Sequence, residues 1–486
     1  MRQDDAALDT LEHFDIDPEA FRRLGYQVID MMADAIGAEP CDPVMRHAGG
    51  QEVRSLIDEP LPMRGTKPEQ LFAACRDLLT SHGRKNGHPR FFGYVCASAD
   101  PVAALADAMA SVFNQNVTAW RSAPAATEIE RLVVRWLDEM VGFNGGGSGL
   151  LVSGGSAANS AAISCAIANL TAPDQPAVPR ETLTVYRSTQ GHLSLEKAAR
   201  SFGILREHIR TIDVDDHYRM IPDLLDRQLQ QDQRSGLVPV CVCASAGTAN
   251  TGAVDPLNEI ADICHQRGIW LHIDGAYGAP AAMTEDYRWM QAAFSRADSL
   301  SLDPHKWLFA PLDVGCILMR DDRAAERAFT LQSEYTAVSE EDPIERYAFF
   351  DHGPELSRRF RALKVWIILK TRGIERISRV IRQNIHLRRY LDKRIAAEPR
   401  LESLGSDLSI SCFRYLPALG GNEEAINASN RRIIDRLVAD GRFYLSPTTL
   451  NGRFALRICI VNFRTTRDDM DLLADEVVRL GDETAR

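Results

Sequence analysis

Residues 271–280 read L-H-I-D-G-A-Y-G-A-P, and residues 298–309 read D-S-L-S-L-D-P-H-K-W-L-F. In the first, the apolar run Ile269–Ile273 ends on Asp274 and breaks at Gly275. In the second, the short run Ser299–Leu302 leads into a turn that carries Lys306. Both runs are too short for helices and are bounded by turn formers, so they read as buried strands. Ahead of them, Pro256–Arg267 has amphipathic helical spacing and Val238–Ala244 is another apolar run. Further toward the N-terminus, Thr182–Tyr186 is strand-like and Ser160–Ala168 is helical. Gly149–Ser153 is a short apolar strand entering a glycine turn. Strands alternating with helices at this spacing predict an α/β fold, a mostly parallel sheet with helices on both faces.

The flanks read differently. Phe21, Leu24, Val28, Met31 and Met32 recur at helical spacing from Asp17 to Ala38, with Asp17 as N-cap and Pro18 at the first helical position. A Pro- and charge-rich passage around residues 60–68 precedes a second helix, Glu69–Ser81. This N-terminal helical segment, residues 1–90, is too small for a core of its own and is expected to pack on a second subunit. A large domain is expected over 91–380. Residues 321–353 within it are charge-rich and weakly periodic, and read as a long loop or lid. Arg358–Thr371 is helical, and the pattern continues to about Ala396. Residues 381–486 read as a small α+β domain, with strands in 409–415 and 454–463 and helices at Glu423–Asp440 and Arg467–Leu480.

The chain has 486 residues, 45% hydrophobic and 25% charged, as in ordinary globular proteins. A net charge of −11 argues against nucleic acid or an anionic membrane as partner. No apolar run is long enough for a membrane span, and the start M-R-Q-D-D-A-A-L-D-T has no apolar signal region. The ten cysteines are scattered. Cys241 and Cys243 are alternate residues of one run, too close for a zinc pair. Free thiols in a reducing cytoplasm, and no metal site, are therefore expected.

Lys306 and Asp274, each beyond a strand end at the carboxyl edge of one sheet, match the needs of pyridoxal 5'-phosphate (PLP). That cofactor needs a lysine amine for its aldehyde and a carboxylate against its ring nitrogen. Burial beside Trp307, Leu308 and Phe309 predicts a lowered pKa for Lys306. The turn S-G-G-S-A-A-N-S, Ser153–Ser160, lies between a strand and a helix. Gly154 and Gly155 would allow a phosphate close to the backbone N–H groups, with the Ser156 hydroxyl adding a bond. His192 could stack on a ring and contact a substrate carboxylate. His305 could reach the phosphate or a labile proton, and Thr248 lies in a loop after a strand. Each of these three residues equally fits an ordinary loop position.

Several stretches resemble the PLP-dependent amino-acid decarboxylases of the aromatic-amino-acid and glutamate decarboxylase type. They are residues 21–32, F-R-R-L-G-Y-Q-V-I-D-M-M; 88–94, H-P-R-F-F-G-Y; 122–130, S-A-P-A-A-T-E-I-E; 272–278, H-I-D-G-A-Y-G; 303–307, D-P-H-K-W; and 356–366, L-S-R-R-F-R-A-L-K-V-W. The resemblance implies an aspartate-aminotransferase-like (fold type I) large domain and an obligate homodimer with shared active sites. It implies that Lys306 holds the cofactor aldehyde and Asp274 its ring nitrogen. His192 would lie on one ring face with Ala276 against the other, and Gly154, Gly155 and Ser156 would hold the phosphate.

The resemblance also implies a substrate pocket of Tyr94, Val95, Ala97, Asn116, Thr118, Trp120 and Phe349. Val95 and Ala97 replace the phenylalanine and threonine of animal aromatic decarboxylases, and Asn116 and Thr118 replace apolar and aromatic groups. No pocket arginine marks an acidic substrate, Arg457 being common across the family. Asp303 stands where some relatives have asparagine near the phosphate. A carboxylate there would repel a phosphate, so Asp303 is assigned to a backbone or turn bond. Phe349 falls where a lid tyrosine would supply a proton, with Tyr335, Tyr347 and His352 as other donors. The expected activity is decarboxylation of an aromatic or bulky apolar L-amino acid to the amine and CO2. The alternative is oxidative deamination to an aldehyde, ammonia and H2O2. A related lyase, an aminotransferase and a non-catalytic binding protein are the remaining rivals.

Overall fold

A computed structural model describes residues 15–37, 42–46, 48–170, 178–330, 342–418 and 420–484. Its centre is a seven-stranded sheet in the order β1-β7-β6-β5-β4-β2-β3. The strands are β1 (Gly149–Val152), β2 (Leu183–Ser188), β3 (Ile209–Ile212), β4 (Val238–Ser245), β5 (Trp270–Asp274), β6 (Ser299–Leu302) and β7 (Gly315–Met319). Strands β3, β2, β4, β5 and β6 pair in parallel, while β7 runs antiparallel to both β6 and β1. Side chains alternate between two cores. Leu271 and Ile273 face one with Val242, Ala244 and Leu300. Trp270 faces the other with Cys241, Cys243 and Ile317. Burial on both faces explains why these strands read as unbroken apolar runs.

The first helices are α1 (Pro18–Ile36), α2 (Gly50–Ile57), α3 (Pro68–His82), α4 (Pro101–Phe113), α5 (Pro124–Val141), α6 (Gly155–Asn169) and α7 (Leu193–Ser201). Helix α1 starts as its sequence predicts, with the Asp17 carboxylate accepting from the Ala20 N–H at 3.1 Å and Pro18 behind it. Helices α1, α2 and α3 bury no residue. The C-terminal part holds a four-stranded antiparallel sheet in the order β10-β11-β9-β8, made of Leu401–Asp407, Ile410–Tyr415, Ser446–Leu450 and Arg453–Cys459 as β8 to β11. Helices Ile374–Ala397, Glu423–Ala439 and Arg467–Thr484 pack with it.

Three details differ from the sequence reading. The stretch 321–353 is not all loop: Asp322–Phe329 is a helix capped by Asp321, with Ala324 and Ala325 buried. The change of grammar at Phe91 is not a packing boundary. Phe92 sits in the core of the C-terminal sheet, accepting from the Cys459 N–H at 3.0 Å. Finally, the helix expected from Arg358 begins at Ala362 and breaks at Gly373 (φ 69°) before Ile374–Ala397.

The late helix start has a cause. The Arg358 side chain is drawn inward to pair with Glu130 of α5, both almost wholly buried. It also donates to the Val117 and Leu151 carbonyls, each at 2.8 Å. Glu130 accepts from the Leu151 N–H at 3.0 Å as well. This knot joins α5, β1 and the 116–118 segment. Removing one member leaves an uncompensated buried charge. Glu130→Ala is therefore expected to lower unfolding free energy by about 3–5 kcal/mol, measured by denaturant titration at fixed protein concentration. A loss under about 1 kcal/mol would show that the site relaxes or takes in water.

Candidate active site

Four loops converge at the carboxyl edge of the parallel strands, where open α/β sheets bind ligands. They follow β1 (the glycine turn), β2 (His192), β4 (Thr248) and β6 (Lys306), around Asp274 at the end of β5. They enclose a cavity of about 780 Å³. It is lined by Lys306, Asp274, His192, Gly154, Gly155, Ser156, Ala276, Thr248 and His305, together with Tyr94 and Val95.

Ala97, Asn116, Thr118, Trp120 and Phe349 do not line this cavity in the single chain. Ala97 packs on the edge of the main core. The Asn116 Oδ1 accepts from the Arg358 N–H at 2.7 Å, and the Thr118 carbonyl accepts from the Phe349 N–H at 2.9 Å. Trp120 opens a short turn, Trp120–Ser122. Phe349 is fully buried under the Arg358 guanidinium, 4.0 Å from its ring centre. The inward pull of Arg358 thus carries Phe349 into the core. Tyr347 and His352 stack on each other there at 4.9 Å, and Tyr335 lies outside the described residues.

Asp274 is held by a directional hydrogen-bond chain. The Asp274 carboxylate can only accept, so the Asn159 amide is turned with Nδ2 donating to Asp274 Oδ2 at 2.9 Å and to Ser194 Oγ at 3.0 Å. Asn159 Oδ1 then accepts from His272 Nε2–H at 2.9 Å. The neutral His272 ring leaves Nδ1 to accept from the Ser299 hydroxyl at 2.9 Å. Ser299 Oγ in turn accepts from the Trp270 indole N–H at 2.9 Å. Ser194 in turn lies 2.7 Å from His192 Nδ1, leaving Nε2–H as that ring's free donor. The other Asp274 oxygen accepts from Ser301 Oγ at 3.1 Å and the Ala276 N–H at 3.2 Å. Burial raises the Asp274 carboxyl, but His272, Lys306 and the Asn159 bond outweigh it and hold the group below the usual carboxylate range. Burial pushes His272 down to about 4, so its imidazole is neutral near pH 7.

Lys306 differs from expectation. Burial lowers its ammonium, but the Asp303 carboxylate 2.9 Å away, with help from Asp274, outweighs burial and raises it. Asp303 does not make the expected backbone or turn bond. Both of its oxygens are buried without a hydrogen bond from backbone or neutral side chain, and the ion pair to Lys306 is its close contact. A Cβ on Gly155 would come within 2.8 Å of the Ala276 Cβ, so only glycine allows the turn to sit this close to β5. The first turn of α6 then offers free N–H groups to the cavity. His305 Nδ1 accepts from the Val314 N–H at 3.2 Å.

Sequence reasoning missed Asn159, Ser194, Ser301 and the Lys306–Asp303 contact. Asn159 was within reach of it, since it lies one helical turn after Gly155 inside the quoted S-G-G-S-A-A-N-S. It also undervalued Arg457. This residue is 4% exposed and lines the cavity, donating to the Ala249, Asn250 and Tyr94 carbonyls at 2.9–3.0 Å. A lysine beside a carboxylate-backed pocket and a helix N-terminus suit an aldehyde, a protonated ring nitrogen and a phosphate. The residues present therefore fit PLP.

Comparison with known proteins agrees. Residues 50–416 match the family described as pyridoxal-dependent decarboxylase conserved domain. An aromatic-L-amino-acid decarboxylase of Bacillus atrophaeus is 36% identical, over 98% of each chain. A phenylacetaldehyde synthase of Petunia hybrida is 28% identical, over 92% of this chain and 91% of its own. The structure of Catharanthus roseus tryptophan decarboxylase with L-tryptophan superposes with a TM-score of 0.88 at 26% identity, covering 97% of this chain and all of the other.

The Asn159 bridge makes two testable points. Asn159→Leu breaks the chain to His272 and removes a donor from Asp274, and turnover is expected to fall on the order of 10²-fold in steady-state assays of a folded protein. A fall of less than threefold would mean that Ser301 and Ala276 orient Asp274 unaided. The second point concerns pH. His272 is lowered in the native state relative to its ordinary 6.5, so the unfolded chain takes the proton first. Its contribution is whole above 6.5 and is lost as pH falls from there toward about 4. Denaturation midpoints followed from pH 7 to 5 are expected to fall less in His272→Gln.

Proposed function

Because the chain belongs to the pyridoxal-dependent decarboxylases, we propose that it removes the α-carboxyl group of an aromatic L-amino acid as CO2 and releases the amine. The observation that carries the reading is that Lys306, Asp274 and the glycine turn face one cavity. When bound, PLP supplies an aldehyde for Lys306 and a ring that takes up the electrons left as CO2 departs. Asp274, held ionised, would keep a proton on the ring nitrogen. Gly154, Gly155, Ser156 and the N-terminus of α6 would hold the phosphate. His192, Ala276 and Thr248 line the same cavity and would contact the ring or the substrate. The aromatic assignment rests on the relatives named above. Val95 leaves more room than a bulkier side chain at the cavity wall.

Oxidative aldehyde formation stays the alternative, supported by the likeness to a phenylacetaldehyde synthase, although Phe349, the residue that suggested it, lies in the core rather than at the cavity of its own chain. Homodimer formation is supported by exposed apolar side chains on the first helices, among them Phe21, Leu71, Leu79 and Phe113. A second chain would also be the source of pocket residues that this chain does not bring to its own cavity. No helix among the described residues is long and apolar enough to cross a membrane. The described cysteines are all free, which supports a cytoplasmic location.

The test is product analysis in air with a panel of L-amino acids and the PLP-loaded protein. Amine and CO2 in equal amounts from an aromatic substrate, without peroxide, is the expected result. Aldehyde, ammonia and H2O2 would replace the decarboxylase reading. Lys306→Ala is expected to lose the visible absorbance of bound cofactor together with all turnover. Sedimentation is expected to give twice the 54.0 kDa chain mass.

A further inference from the structure

The helix Ile374–Ala397 is fixed along its inner side. Ile377, Ile381 and Ile385 lie in the main core. Beside them, Asn384 accepts from the Trp307 indole N–H at 3.0 Å and donates to the Asn462 carbonyl at 2.9 Å. The outer side carries Arg379, Arg382 and His386 at three- and four-residue spacing, which puts them on one face. All three are exposed. Arg467 joins them from the start of Arg467–Thr484, the helix packed alongside, with its guanidinium 4.2 Å over the Tyr390 ring. Together they line a cavity of about 490 Å³, and no carboxylate among the described residues lines it.

Charge pairing stops at this cavity. Farther along the same helix, Arg388, Arg389 and Arg394 each pair with a carboxylate. On the neighbouring helix, Arg479 pairs with Glu476 and Glu483. Arg379, Arg382 and Arg467 have no ion pair among the described residues. Asp468 and Asp471 act on Arg467, but neither lines the cavity. Asp471 is already engaged, accepting from the Tyr390 hydroxyl at 2.6 Å and pairing with Arg394. Like charges one turn apart on a helix repel, so the cluster works against the helix that carries it. A concave group of cations without a counter-charge, in a chain of net charge −11, attracts an anion.

We propose that this cavity binds the triphosphate group of a small phosphorylated molecule. Arg379 and His386 are seven residues apart, which is about 10 Å along a helix. That is longer than one phosphate and matches a row of two or three. Guanidinium groups hold phosphate oxygens by pairs of parallel hydrogen bonds, and a triphosphate carries enough charge to offset all three arginines. The core and the Trp307 bond already hold the helix, so binding orders side chains but no backbone. This cavity shares no lining residue with the one around Lys306, so binding here stands apart from the cofactor reading.

The test is calorimetric titration of the PLP-loaded, full-length protein in metal-free buffer with tripolyphosphate, ATP and orthophosphate. Tripolyphosphate is expected to bind once per chain, at least about tenfold tighter than orthophosphate, and to weaken with added salt. Arg379→Gln and Arg382→Gln, both at exposed positions, are each expected to weaken it about tenfold, and Arg467→Gln on the neighbouring helix likewise, so that no single folding failure decides. Arg376→Gln, on the same helix but outside the cavity, is expected to leave it unchanged. Equal affinity for ATP identifies the free phosphate chain as the ligand, and tighter ATP identifies a nucleotide; both uphold the site. No binding of tripolyphosphate or ATP, orthophosphate binding as tightly as tripolyphosphate, or an affinity untouched by the three cavity substitutions would overturn the proposal.

Discussion

A buried carboxylate at the end of the central strand is the constraint on which the rest depends. Asp274 is 8% exposed, and an ion in such a place costs several kcal/mol unless partners replace its water. The partners come from separate elements: Asn159 from α6, Ser301 from β6 and the Ala276 N–H from the loop after β5. The carboxylate has no donor, so it sets the sense of every bond back through Asn159 and His272 to Ser299, which also accepts from the Trp270 indole. The chain also clamps α6 to β5 and β6. Since α6 begins at the glycine turn, the bonds that stabilise the carboxylate also place the N-terminus of that helix at the cavity.

Placing that helix end so close has an electrostatic cost. The corner holds Asp274, Asp303 and Lys306, with Arg457 behind them bonded only to carbonyls among the described residues. Without a ligand, Asp303 and Lys306 neutralise each other. An anion bound there would meet the free N–H groups of the first turn of α6 on one side and the buried carboxylates on the other. Close packing sharpens the conflict, because a Cβ on Gly155 would already lie 2.8 Å from the Ala276 Cβ and 3.1 Å from Asp303 Oδ2. The low dielectric that would strengthen the hold of the helix N–H groups on an anion would equally strengthen its repulsion from the buried carboxylates.

Much of this was legible in the sequence. Strand runs buried on both faces are visible as unbroken apolar segments, and their ends carry Asp274 and Lys306 where the sheet needs them. What was not legible depended on contacts between distant segments. The charge of Lys306 could not be read from its apolar neighbours Trp307, Leu308 and Phe309, because the opposing carboxylate folds back from three residues before it. Phe349 was assigned by counting back from Arg358, yet Arg358 is pulled inward by Glu130 and takes Phe349 with it. Strand β7 is reversed in the sheet although its apolar run resembles its neighbours, since pairing direction leaves no mark on composition. Sequence shows which residues will be buried, whereas the partner of a buried charge is decided by the fold.

The exposed apolar helices and the cavity are mechanically linked. Leu105, Met109, Val112 and Phe113 of α4 are more than a third exposed, an apolar strip on one helix of the kind that association covers. Helix α4 is capped by the Asp100 carboxylate, which accepts from the Val102 N–H at 2.8 Å and from Arg372 at 2.6 Å. The Asp100 N–H in turn donates to the Phe309 carbonyl at 2.8 Å, three residues past Lys306. Upstream of Asp100, the same segment supplies Tyr94 and Val95 to the cavity wall. One stretch of backbone thus runs from the cavity wall, past a tether to the lysine loop, into a helix with an uncovered apolar face. A partner chain seated on that face would restrain the cavity wall and the lysine loop together, and would thereby couple association to the shape of the cavity.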